Sequence, residues 1–218
     1  MIGVSPLASG AVPRDRLTER IVRCVVGLLI CGTGLTLIIN GDVGLAPWDV
    51  FHQGLSDRTG IPIGTVIVIV GLALLLAWIP LRVRPGLGTF LNAVLIGVSV
   101  DVLDPRLPEP DHLLARVALM LAGVVLFGLG TGIYIGTGLG AGPRDGLMTG
   151  IARRGVSIRL ARTAIELGVL VAGVLLGGTI GLGTAVFALG IGPLVHIFLP
   201  RFDMDAARAD LSIGSARA

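Results

Sequence analysis

The sequence predicts an all-α polytopic membrane protein with six transmembrane helices. They form two inverted three-helix repeats, each with a short interrupted or re-entrant helix. Three observations predict this. The 218-residue chain is 53% hydrophobic and 14% charged, with a mean hydropathy of +0.91, whereas soluble domains carry about a quarter charged residues. The stretch Gly44-Leu45-Ala46-Pro47-Trp48-Asp49 returns as Gly140-Ala141-Gly142-Pro143-Arg144-Asp145, at an offset of 96. The arginines cluster on alternate sides of successive apolar runs, as the positive-inside rule requires.

Residues 1–20 form a polar, Arg-bearing tail assigned to the cytoplasm. A cleaved signal peptide is the rival reading, because Arg14, Arg16, Arg20 and Arg23 precede an apolar run. That run, Cys24 to Asn40, is long for a signal core, and no A-x-A site follows it. Residues 21–40 are therefore the first span. Cys24 and Cys31 both lie in it. Seven positions along a helix rise about 10.5 Å, beyond disulfide reach.

Residues 41–60 form a loop holding the first motif. Pro47 suits the first turn of a helix, where its missing N–H costs nothing. A helix over Pro47–Ser56 would be about 15 Å long, half of what a bilayer core of about 30 Å demands. It lies at the interface or re-enters. Residues 62–81 are the second span, whose terminal Trp78 fits an interfacial aromatic belt. Residues 86–104 are the third, and the first repeat covers 21–105. Residues 106–112 are a polar, Pro-bearing loop between repeats. The fourth span is 113–136. Residues 137–159 carry the second motif and a short amphipathic stretch to Arg154. The fifth and sixth spans are 160–178 and 181–199, the second repeat is 113–200, and 201–218 is a cytoplasmic tail.

The repeat extends beyond the motif. Gly32, Gly34 and Gly44 match Gly128, Gly130 and Gly140; Pro47, Asp49 and Gly54 match Pro143, Asp145 and Gly150. After a one-residue deletion, Gly86-Leu87-Gly88-Thr89 matches Gly181-Leu182-Gly183-Thr184 identically. Compositional bias yields scattered Gly matches, not this order. An odd number of spans per half inverts the second half. With both termini in the cytoplasm, only Arg58, Arg106 and Arg116 of the 17 basic residues, all of them Arg, fall outside. Inverted repeats of this kind build many secondary transporters, with the site at the repeat interface.

Gly44-x-x-Pro47-Trp48-Asp49, Gly140 to Met148, and Arg162-Thr163-Ala164-Ile165-Glu166 resemble the bacterial YczE-like membrane proteins of the YczE/YyaS/YitT group. The resemblance covers roughly residues 20–200. It implies the architecture and a bacterial inner-membrane location, and it brings no catalytic residues.

Each candidate residue has two readings. Asp49 and Asp145 sit in the first turn of a short helix, where a carboxylate gains about 0.3–1 kcal/mol from the helix dipole. Alternatively they line a shared cavity and bind a cation, relay a proton or orient a polar solute. Glu166 either pairs with Arg162, four residues away on the same face, or couples protons. Arg144 either obeys the positive-inside rule and meets lipid phosphate, or gates an anionic solute. Gly128, Gly132, Gly136 and Gly140 recur every four residues, opposite Gly32 and its row, as small residues do where helices approach closely. With Gly34, they are expected to pack the first span on the fourth. A Gly-lined path is the alternative, with Asn40 as a polar member. His52, His112 and His196 are isolated in sequence and receive no role.

No Ser-His-Asp order, H-E-x-x-H or phosphate-binding loop appears. No enzyme, cofactor, metal or nucleic-acid partner is expected. The expected partners are the lipid bilayer, a small polar solute or coupling ion, and a second copy in a homodimer. The leading function is a small secondary transporter or permease-like protein that rocks its halves about the midplane. The alternative is a non-transporting scaffold or regulator acting through a protein partner.

Overall fold

The computed structural model describes residues 15–107 and 110–205. The tails before and after these limits, and Pro108 and Glu109 of the inter-repeat loop, lie outside the described residues. Within them the chain forms eight α-helices: α1 (Leu17–Gly41), α2 (Pro47–Thr59), α3 (Ile63–Leu81), α4 (Leu87–Leu103), α5 (Leu113–Gly136), α6 (Pro143–Ala152), α7 (Ile158–Leu176) and α8 (Leu182–Phe202). A 3₁₀ turn, Asp104–Arg106, extends α4.

Five helices are long and apolar enough to cross a membrane: α1, α3, α4 with its extension, α5 and α8. The expected sixth, α7, matches α3 in length at 19 residues. It falls short in composition because Arg159, Arg162 and Glu166 load its first half. Large apolar side chains face outward, among them Leu114, Leu182, Leu189 and Ile79. In water such a surface would drive association; against acyl chains it costs nothing.

The short helices start as the motif requires. Gly44 and Gly140 have φ of +123° and +129°, a left-handed region that a side chain rarely adopts. Two residues on, the backbone is extended, and then Pro47 or Pro143 opens the helix. Thirteen and ten residues respectively are too few to span.

Helices α1 and α5 run antiparallel along the centre. A methyl group at Gly27 would lie 2.9 Å from the Gly130 carbonyl oxygen, at Gly34 2.7 Å from that of Gly123, and at Gly41 2.9 Å from that of Arg116. Backbone meets backbone along the whole contact, the packing that small residues permit in lipid. Buried Cys24, Leu28, Cys31, Leu35 and Ile38 fill the rest, and both cysteines are free thiols.

The predicted glycine ladder has a different neighbour. Gly128 faces Leu194 and Gly132 faces Phe198, both on α8, and Gly136 faces Phe202. Gly32 faces Ser99 on α4, and Gly140 lies in the loop against Thr89 and Gly86. Of the glycines expected to join α1 to α5, Gly34 does so. Four-residue spacing identifies a smooth face without identifying what covers it.

The short helices cross over. Helix α2 packs on α7, and α6 packs on α3. Arg58 donates to the Leu175 carbonyl at 3.2 Å, and Arg154 to the Pro80 carbonyl. Gly88 N–H donates to the Leu139 carbonyl and Gly183 N–H to the Val43 carbonyl, both at 2.9 Å. Each such contact in one part of the chain recurs at the matching positions of the other.

Trp78 is not in an aromatic belt. It is 2% exposed, and its Nε1 donates to the Pro143 carbonyl at 3.0 Å. Any side chain at Gly146 would overlap its ring. Gly146→Val should therefore cost about 1–3 kcal/mol by overpacking, read as a lower melting temperature in detergent. Combining it with Trp78→Leu should recover part of the loss; two additive losses would refute the contact.

Helix α1 begins four residues before the expected boundary, because Arg20 is fully buried. Its guanidinium donates to the Thr137 carbonyl at 2.6 Å and pairs with Asp205 at 2.6 Å and Asp15 at 3.2 Å. It ties the start of α1 to the end of α5 and to the segment after α8.

Candidate functional site

Two cavities adjoin where the short helices begin. The larger, about 490 Å³, lies among α5, α6, α7 and α8. Its charged lining is Arg144, Asp145, Arg162, Glu166 and His196, and Asn92, Thr131 and Tyr134 add polar edges. Trp48, Phe127 and Met148 supply apolar wall. The smaller, about 30 Å³, has room for about one water. It is lined by Leu35, Trp48, Asp49, His52, Ile67, Gly71, Asn92 and Arg144, among others.

The fold places these groups through the helix breaks. Pro143 starts α6, so Arg144 and Asp145 occupy its first turn. The Asp145 side chain is open to the cavity and makes no hydrogen bond or ion pair among the described residues. Desolvation by the surrounding protein pushes its carboxyl above the ordinary carboxylate range, against the opposing pull of Arg144 and Arg162. Arg144 lies over the Trp48 ring, 5.8 Å from its centroid, a cation–π distance. Trp48 and Arg144 are matching positions of the two motifs, so the stack lies where the related segments meet.

Asp49 and His52 are one turn apart on α2, at 1% and 4% exposure. His52 Nδ1 lies 3.1 Å from Asp49 Oδ1, while Asp49 Oδ2 and Trp48 Nε1 have no hydrogen-bond partner among the described residues. Glu166 accepts from Arg162 Nε at 3.0 Å, so the pair expected from i,i+4 spacing forms, and it forms on the cavity wall.

Four of the five predicted pathway residues thus converge: Asp49 on the small cavity, Asp145 and Glu166 on the large one, Arg144 on both. Asn40 does not. It is buried away from both cavities, and its Nδ2 donates to Asp104 Oδ1 at 3.3 Å. The sequence reading passed over His52 and His196. The i,i+3 spacing of Asp49 and His52 was a usable signal. His196 had none, because the charged groups that share its cavity lie at least 30 positions away on α6 and α7.

The chain has relatives among known proteins. Residues 18–200 match a family described as a family of unknown function, DUF6198. An uncharacterised protein of Haemophilus influenzae is 42% identical over 173 residues, 79% of either chain. The uncharacterised membrane protein YczE of Bacillus subtilis is 38% identical, over 80% of this chain and 83% of its own. The uncharacterised protein YyaS of the same organism is 30% identical, over 80% and 90%. No solved structure matches.

Proposed function

The chain belongs to the DUF6198 family, a family of unknown function, and we propose that it is a small secondary transporter of the bacterial inner membrane for a small polar or charged solute. One observation carries the reading. A cleft of about 490 Å³, lined by Arg144, Asp145, Arg162, Glu166 and His196, with Asp145, Arg162 and His196 exposed in it, opens into a bundle whose outer surface is otherwise largely apolar. Ionisable groups at that depth are costly in a bilayer and are kept where they meet a solute, an ion or each other. Helices broken at matching positions are where such sites form.

The topology we propose has six spans in two inverted repeats, with both termini cytoplasmic. Helix α7 is the sixth span, its charge relieved by the Arg162–Glu166 pair and by the cavity. The antiparallel α1–α5 contact supports inversion, since matching helices of a parallel repeat would run the same way. The recurrence of Arg58–Leu175 as Arg154–Pro80 supports it too. A reporter fused after Ser56 should be periplasmic and one fused after Arg153 cytoplasmic. The reverse at either point would break the inverted arrangement.

Cells producing the protein should accumulate or lose a labelled solute from a panel of amino acids, organic acids, sugars and amines. Cells producing Asp145→Asn at equal abundance should not. A scaffold or regulator is favoured by one observation, the Arg162–Glu166 pair, which spends two cavity charges on each other. Equal fluxes in both cell types across the panel would move the weight there.

A further inference from the structure

The two cavities are built from matching positions. The repeat offset carries Trp48, Asp49, Ile67, Gly71 and Ile96 of the small cavity to Arg144, Asp145, Arg162, Glu166 and Ile191 of the large one. Their volumes nevertheless differ, about 30 Å³ against about 490 Å³. A residue can stack on its own counterpart only near the axis relating the two halves. The Trp48–Arg144 stack therefore puts that axis between the cavities. The small cavity also holds two buried polar atoms without hydrogen-bond partners, Asp49 Oδ2 and Trp48 Nε1. Native proteins rarely leave such atoms unmatched, and each calls for an explanation.

We propose that the small cavity is the closed counterpart of the large one, and that Asp49 is a second solute-binding carboxylate, used when the small cavity opens and the large one closes. This rests on the transport reading above. In an inverted repeat the two cavities face opposite sides of the membrane, so their exchange is alternating access. The solute chemistry follows from the matched pair. Asp49 Oδ2 and the Asp145 carboxylate both accept, so each takes in turn the same hydrogen-bond-donating cationic group, a protonated amine. Beside them Trp48 Nε1 and the Arg144 guanidinium both donate, which suits an anionic or carbonyl oxygen on the same solute. A small zwitterion meets both demands. The crossover packing identifies the moving parts. Each short helix travels with the span of the other half on which it packs, α2 with α7 and α6 with α3, around the backbone-close α1–α5 pair.

The test uses thiol labelling in a background of Cys24→Ala and Cys31→Ala, which removes both native thiols. Leu74→Cys reports on the small cavity and Val195→Cys on the large one, since each lines only that cavity. A membrane-impermeant maleimide is applied to right-side-out spheroplasts and to inverted vesicles. Val195→Cys should react only in inverted vesicles, and Leu74→Cys, more slowly, only in spheroplasts. Gly192→Phe then wedges the large cavity open; space around Gly192 is free, so the ring enters without displacing backbone. It should slow Leu74→Cys labelling by about tenfold or more, because the state with the small cavity open becomes rarer. Ile191→Trp serves as a second wedge should the first fail to yield monodisperse protein. The proposal is overturned if Leu74→Cys reacts from the same side as Val195→Cys, reacts from neither, or reacts at a rate that neither wedge changes. Solute binding in the large cavity would survive that outcome, so it would leave the transport reading to its own test.

Discussion

Arg20→Ala should be strongly destabilising, lowering stability by about 1.5–3 kcal/mol, because it strips a charged donor from a buried carbonyl, while the Asp205 and Asp15 carboxylates, 48% and 32% exposed, regain water. Arg20 is fully buried, with three separate segments bonded to its guanidinium. Truncation leaves the Thr137 carbonyl unsatisfied and two carboxylates without their cation. The comparison is Arg23→Ala. Arg23 pairs with Glu19 at 2.7 Å, but both side chains are more than 40% exposed, so its loss should fall within about 1 kcal/mol. Melting temperatures in one detergent decide the matter. Similar losses for the two would show that the Arg20 network carries little.

Asp145→Asn should weaken solute binding by about 30-fold or more while leaving the fold intact. Its carboxylate makes no hydrogen bond or ion pair among the described residues, so the structural loss is the helix-dipole term of about 0.3–1 kcal/mol and the longer-range attraction of Arg144 and Arg162. If the carboxylate binds a cationic group of the solute, the neutral amide should cost about 2 kcal/mol or more, roughly 30-fold in affinity. The two readings of this residue thus separate cleanly. A carboxylate serving only the α6 dipole would cost a little stability and no binding. Glu166→Gln should act differently from Asp145→Asn, because Glu166 is already committed to Arg162.

Much of this was legible in the chain. Hydropathy gave the all-α membrane class and five of the six expected spans, α7 falling short in composition, and Pro47 and Pro143 gave the short-helix starts. What stayed hidden shares a cause. In lipid a helix is apolar on all sides, so periodicity does not say which face meets protein. Helix α3 is nearly uniform apolar sequence from Val66 to Trp78. Nothing in it reveals that Trp78 turns inward to Pro143 rather than outward to the lipid interface. The Gly128–Gly132–Gly136 row was visible as a smooth stripe, yet α1 and α8 were equally good neighbours for it. Arg20 read as one more cytoplasmic charge, because its partners Thr137 and Asp205 lie 117 and 185 positions away. The candidate site was partly legible for the opposite reason. Asp49, Arg144 and Asp145 stand out as charges and breaks in an otherwise apolar chain, whereas Asn92, Tyr134 and His196 reach the cavity only through tertiary packing.

The central claim is that the large cavity is a solute site, and thermal stability tests it most directly. The detergent-purified protein would be melted with amino acids, organic acids, sugars, amines, and mono- and divalent ions. Ligand that binds only the folded state raises the melting temperature by mass action, by about 2.7 kcal/mol of stability at a hundred times the dissociation constant. The account predicts at least one solute that stabilises the wild type and fails to stabilise Asp145→Asn and Arg144→Ala. A panel with no stabilising solute, or a shift that persists undiminished in both variants, would contradict it.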